Sequence, residues 1–162
     1  MKKGYPETHS TFTYTMLCGS SVKVGRTTNV PLRLRQIQCM NPTPVSLLGV
    51  VERDIERSVH QKLEEKNVTR IVGEWFEFSD TAREVLAAEG LVSPVGGFAA
   101  WLLTQAFRDD PIGDFARDTQ RDRDWPPSEQ SEERIRDYLA YKRACGDAVD
   151  AFARAWAEWT AG

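Results

Sequence analysis

The 162 residues are 41% hydrophobic and 28% charged, an ordinary globular composition that allows one domain or two small ones. The net charge of -3 excludes a uniformly basic nucleic-acid binder, but it averages over a split. Six Lys/Arg (Lys2, Lys3, Lys23, Arg26, Arg33, Arg35) face one acid, Glu7, before Glu52, whereas nine Lys/Arg face thirteen Asp/Glu from Leu91 onward, so a local anion site belongs in the N-terminal part.

Ser10 to Leu17 alternates polar and large apolar residues, which puts Phe12, Tyr14 and Met16 on one face of a strand. C-G-S-S is turn chemistry and Val22 to Gly25 is a second strand, so the pair reads as a hairpin. Thr28 or Asn29 caps a helix that carries Pro31 in its first turn and runs to about Met40. N-P-T-P breaks the chain, Val45 to Val51 is a buried strand, and Asp54 opens a helix to about Glu65. Glu74 to Phe78 is a further strand, and Ser79 or Asp80 caps a helix ending near Glu89. The order is β-β-α-β-α-β-α.

Gly90 to Gly97 reads as a linker, and everything beyond it is helical in pattern. One helix spans Phe98 to Phe107, and a second starts at Asp110-Pro111 and runs to about Arg123. A third begins at Ser128 and a fourth at Asp147, with Val149, Phe152, Trp156 and Trp159 on its apolar stripe. The expected class is α+β: a small mixed β-sheet flanked by helices over 10–89, a linker over 90–97, and an all-α helical bundle over 98–160. The three cysteines lie far apart, no C-x-x-C or H-E-x-x-H occurs, and no run approaches eighteen apolar residues. The chain therefore reads as cytoplasmic, without disulfide framework, structural zinc or membrane span.

The stretch V-K-V-G-R-T-T-N-V-P-L-R-L-R-Q, Val22 to Gln36, carries the chemistry. A helix N-terminus just past a strand end offers free N–H groups and a favourable dipole to a phosphate. Arg33 would add a planar fork that holds two phosphate oxygens. Lys23, Gly25, Arg26, Thr27 and Arg35 from the same stretch are the expected substrate-binding residues. Taken alone, the same residues also fit a surface helix with solvated arginines. Glu56 and His60, four apart on one helix, share a face. Glu56 could hold a divalent cation, or the two could be an exposed polar pair. Tyr14 is either a site residue or a core aromatic.

Together these residues resemble a family. Tyr14 on the first strand, K-V-G at Lys23 to Gly25, an arginine eight residues on and a helical glutamate are similar to the GIY-YIG nuclease superfamily. The closer likeness is to its phage-associated branch, through V-K-V-G-R-T, the E-x-x-x-H of Glu56 and His60, and G-E-W-F at Gly73 to Phe76. The resemblance covers roughly Thr11 to Leu86. It implies a DNA endonuclease that uses one Mg2+ or Mn2+ to cut phosphodiester bonds in duplex or branched DNA. It further implies that Tyr14 helps activate the attacking water, Arg33 stabilises phosphate charge, and Glu56 holds the metal. Two departures stand out: the first motif is F-T-Y, and Lys23 replaces a second tyrosine. The proton acceptor is then either Tyr14 alone or Tyr14 with His60, a residue type that titrates near neutrality.

Phe98 to Trp159 resembles the YozE-type SAM-like helical family, which carries no catalytic motif to transfer. Asp110 reads as a helix N-cap rather than a metal ligand. An acidic helical module would bind protein or self-associate rather than hold DNA. The expectation is a nuclease with a helical accessory domain. The alternative is a catalytically weak binding or regulatory protein acting through residues 98–160.

Overall fold

The computed structural model describes residues 9–93 and 96–162, which leaves Lys2, Lys3 and two residues of the expected linker, Pro94 and Val95, outside the described residues. The N-terminal part contains β1 (Phe12–Cys18), β2 (Ser21–Thr27), α1 (Val30–Cys39), β3 (Val45–Val51), α2 (Glu56–Glu65), β4 (Arg70–Val72), β5 (Trp75–Glu77) and α3 (Asp80–Ala88). The C-terminal part contains α4 (Phe98–Leu103), α5 (Pro111–Arg121), α6 (Glu132–Tyr141) and α7 (Gly146–Ala161). The α+β class is as expected. The sheet has strand order β3-β1-β2-β5-β4, and all four pairings are antiparallel.

β1 lies inside the sheet and is covered on both faces. Phe12, Tyr14 and Met16 point one way, into a core shared with Val30 and Ile37 of α1 and with Phe98, Leu102, Phe115 and Phe152 of the helical part. On the opposite face, Val22, Val24, Val51 and Phe76 pack against Val59 and Leu63 of α2, Ala82 and Leu86 of α3, and Leu91 and Val92. β1 turns Thr13 and Thr15 toward this side, and both are fully buried. A buried hydroxyl must find partners, and these two set the path of neighbouring loops. Thr13 donates to the Arg53 carbonyl at 2.6 Å and accepts the Ile55 N–H at 3.0 Å. Thr15 donates to the Leu91 carbonyl at 2.5 Å.

Several boundaries differ from the sequence reading for local reasons. β4 is unanticipated, being three residues long and irregular in register between Arg70 and Val72, too short to show alternation. α2 starts at Glu56 rather than Asp54, because Asp54 gives its carboxylate to Arg26 and Ile55 caps without a side-chain bond. α4 stops at Leu103, where three-residue backbone turns take over and the Thr104 hydroxyl donates to the Trp101 carbonyl. The third C-terminal helix begins at Glu132 because Ser131, not Ser128, caps it. Asn29, Ser79 and Asp110 cap their helices through side-chain acceptors, as that chemistry dictates.

Leu91 and Val92, within the expected linker, are buried, so this stretch is anchored to the sheet. Gly49 of β3 makes room for it: a Cβ there would lie 2.2 Å from the Leu91 carbonyl oxygen. The helical part is tied on from the other side, where Gln120 donates to the Val50 carbonyl at 2.7 Å and Arg117 pairs with Glu52 at 3.3 Å. Among the described residues no helix is long and apolar enough to cross a membrane. We expect Gly49→Ala to cost about 1–3 kcal/mol by forcing the Leu91 segment off the sheet. Equilibrium urea unfolding measures this, and unchanged stability would mean that the segment is free to shift.

Candidate functional site

β5 pairs with β2 only over Ser21 to Lys23. Beyond that point, on the outer edge of β2, the Val24 N–H donates to the Glu74 carbonyl at 3.1 Å. Residues from both faces of the sheet gather around this edge. From one face comes Tyr14, opposite Gly25 in the β1–β2 register. Its ring lies over the glycine so closely that a Cβ on Gly25 would sit 2.4 Å from the phenol oxygen. Gly25 is therefore needed for the ring to reach this position at all. Arg33, in the first turns of α1, adds its charge to Tyr14. Its Nε is buried without a hydrogen-bond partner, a costly arrangement that an anion would relieve.

From the other face comes α2, whose start is set by the Thr13 hydroxyl. His60 meets the β2 edge at Val24, with Nε2 2.9 Å from the carbonyl oxygen. A carbonyl only accepts, so Nε2 carries the proton, and the neutral ring has its lone pair on Nδ1. Phe76 stands edge-on to the ring at 5.2 Å and fixes its plane. Glu56, one turn earlier, has Arg26 Nε 3.8 Å from its carboxylate, while the same Arg26 holds Asp54 at 2.8 Å. Arg26, Asp54, Glu56, Arg57, His60, Gln61, Glu64 and Arg70 line an open polar cleft of about 570 Å³.

The ionisation of the site follows from burial and neighbouring charge. Burial pushes the Tyr14 phenol up to about 12; Arg33 lowers it, but Glu74 and Glu56 raise it further. Burial also raises the Glu56 carboxyl, and the negative charge of Glu74 adds to this, while His60 and Arg26 offset only part. Glu74 is itself pushed up by burial, but its hydrogen bond and ion pair with Lys23 outweigh this, with His60 and Arg33 helping, and hold it below the usual carboxylate range. Tyr14 is thus a proton-bearing donor at neutral pH, and Glu56 is a carboxylate under pressure from a like charge.

The charges of Arg33 and Glu56 both act on Tyr14, and that of His60 acts on Glu56, but only Glu56 and His60 of the four line the cleft. The expected substrate-binding residues are dispersed. Lys23 is half-buried in its ion pair with Glu74 and lies 5.7 Å from the Trp75 ring. Arg26 lies in the cleft. The Thr27 hydroxyl is used in the turn to Asn29, and Arg35 is exposed on α1. Sequence reasoning does not single out Glu74, which the structure places against Lys23. Its signal was present in G-E-W-F, but only the pairing of β2 with β5 shows that it faces Lys23. Asp54 was likewise read as a helix start, not as the partner of Arg26.

Among the described residues no three His, Cys, Asp or Glu side chains converge on one point. Asp54 and Glu64 are taken up by Arg26 and Arg70, and Glu56, with Arg26 Nε only 3.8 Å off, suits a Mg2+-like ion, which keeps several waters and takes one or two carboxylates plus substrate phosphate. Burial and the charge of Glu74 both act against the Glu56 carboxylate, which favours such a cation there.

Residues 8–90 match the family model of the T5orf172 domain, and residues 97–161 match that of the YozE SAM-like fold. No curated protein and no solved structure matches the chain. From the geometry alone, we expect Tyr14 to stay protonated until pH about 12. In an alkaline absorbance titration, Tyr14→Phe should remove a transition near pH 12, while Tyr138, raised by burial and its bond to Asp122, still titrates above the ordinary tyrosine value. Loss of a transition near pH 10, the ordinary tyrosine value, would overturn the burial argument.

Proposed function

The chain belongs to the T5orf172 domain family, a phage-associated nuclease-like domain, and from that membership we propose a metal-dependent DNA endonuclease of GIY-YIG type. The observation that carries the reading is the placement of Tyr14 with Arg33 on one face of the sheet and of Glu56 with His60 on the other, both beside β2, with Arg33 Nε buried and unpartnered. A set of this composition suits a phosphodiester, which needs charge neutralised on its oxygens and a proton acceptor for the attacking water.

Glu56 would hold Mg2+ or Mn2+, with the remaining positions open to water and phosphate. When bound, the ion supplies phosphate charge neutralisation and a more acidic water. Arg33 binds a non-bridging phosphate oxygen through its guanidinium. The Tyr14 hydroxyl, protonated at neutral pH, donates a hydrogen bond to the phosphate rather than taking a proton. The role of proton acceptor then falls to His60, whose Nδ1 is the basic nitrogen once Nε2 is committed to Val24. Water oxygen bonds to phosphorus, its proton passes to Nδ1, the ester P–O bond breaks, and the leaving oxygen takes a proton from solvent in the open cleft. The helical part, matched by the YozE SAM-like model, serves as an accessory domain for targeting or protein contact.

Plasmid nicking tests this reading. Wild type should nick DNA in Mg2+ or Mn2+ and not in EDTA, and Glu56→Ala should lose about a hundredfold or more in rate. DNA binding by Glu56→Ala should persist in a gel-shift assay. Equal nicking by both proteins would reject the assignment of Glu56. DNA binding with no metal-dependent nicking by wild type would favour a regulatory protein that keeps the fold without the chemistry. We also expect His60→Gln to slow single-turnover cleavage by about a hundredfold or more with little change in DNA affinity. An unchanged rate would return the proton acceptor to Tyr14.

A further inference from the structure

The Lys23 side chain is 13% exposed, an unusual setting for an ammonium group, which is rarely withdrawn from water unless paired. Its partner is the Glu74 carboxylate. The sheet dictates the pairing. Lys23 and Gly25 lie two apart on β2, opposite Met16 and Tyr14, and so share the face toward which Tyr14 points. Glu74 is brought alongside by its backbone: Trp75 stands opposite Lys23 in the β2–β5 register, and the Glu74 carbonyl accepts the Val24 N–H. The Val24 carbonyl in turn accepts from His60 Nε2. The ion pair therefore abuts the residue that anchors the histidine, one helical turn from Glu56.

The charge of Glu74 reaches both halves of the site. It acts on Glu56 and Tyr14, and His60 and Arg33 act on it. Lys23 Nζ is hydrogen-bonded to that carboxylate, so its positive charge lies within comparable reach of Glu56. Left unmatched, the ammonium would oppose a divalent cation there, because charges at a partly buried site are weakly screened. We propose that Glu74 is a positioning residue for the metal: by cancelling the charge of Lys23, it lets Glu56 take up a divalent cation without itself ligating the ion. This rests on the metal-dependent reading above and deepens it. The role differs from that of a ligand in what the loss of Lys23 does. A missing ligand stays missing when the lysine also goes, whereas a charge that is no longer present needs no cancelling.

Titration of the full chain with Mn2+ alone, without DNA, tests this independently of cleavage, with free Mn2+ read from its electron paramagnetic resonance signal. Glu74→Gln should weaken Mn2+ binding about tenfold, and Lys23→Met should tighten it. The double variant Lys23→Met/Glu74→Gln should return to within about twofold of wild type, the coupling expected of paired charges. Circular dichroism and thermal unfolding establish that each variant is folded. Should Glu74→Gln alone fail to fold, Lys23→Met and the double variant still decide, since a neutral pair of similar shape is well tolerated. Binding that is lost in Glu56→Ala but unchanged in the Lys23 and Glu74 variants overturns the positioning role and leaves the metal reading standing. Weak binding in the double variant makes Glu74 a ligand and overturns the cancellation. No Mn2+ binding by wild type, or binding indifferent to Glu56→Ala, overturns the metal reading and this inference together.

Discussion

β1 must be covered on both faces, and its alternating side chains decide what covers it. Phe12, Tyr14 and Met16 demand an apolar layer on one side, supplied by α1 and the helical part. On the other side, Thr13 and Thr15 are buried, and their hydroxyls must be satisfied from outside the sheet. Thr13 takes the backbone leading into α2, and Thr15 takes the carbonyl of Leu91. One strand thus aims the tyrosine toward Gly25 and fixes the start of the helix that carries Glu56 and His60. The site is built from opposite faces of the sheet because the same seven residues organise both.

The charges around the site are largely matched within the protein. Lys23 is taken by Glu74, and Arg26 is shared between Asp54 and Glu56. These pairs explain why an N-terminal stretch with a cationic excess need not present a broadly positive surface. Arg33 differs, since its Nε lacks a partner. Glu56 differs in the opposite sense, because burial and Glu74 act against its charge. A ligand that brings negative oxygens to Arg33 and a cation to Glu56 would resolve both at once. A metal-bound phosphodiester has that pattern.

The order of the longer elements was legible because periodicity and capping are local properties. Thr28 or Asn29, Ser79 or Asp80, and Asp110 announce helix starts, of which Asn29, Ser79 and Asp110 are the caps, and the alternation at Phe12, Tyr14 and Met16 announces a face. What was not legible depends on register. Nothing in Gly73 to Phe76 taken alone says that Glu74 meets Lys23, since that requires β5 to pair with β2 over three residues. Asp54 looked like a helix start because its capacity to cap is local, whereas its attraction to Arg26 is not. The partners of Lys23 and Thr27 were not legible for the same reason: they lie across the sheet and in the next turn, outside any sequence window. β4 escaped because three residues carry no period.

The layer that hides Phe12, Tyr14 and Met16 is drawn in large part from residues that follow them by roughly a hundred positions, from Phe98 to Phe152. On a ribosome, the sheet can therefore form while part of its apolar face still waits for its cover. At about 5–20 residues per second, the wait after the strands are complete is on the order of several seconds. α1, with Val30 and Ile37, arrives early and shields part of that face. The remainder is a natural holding site for a chaperone, and a chain cut short before α7 would keep it exposed. Premature termination would then yield an aggregating fragment rather than a smaller working protein.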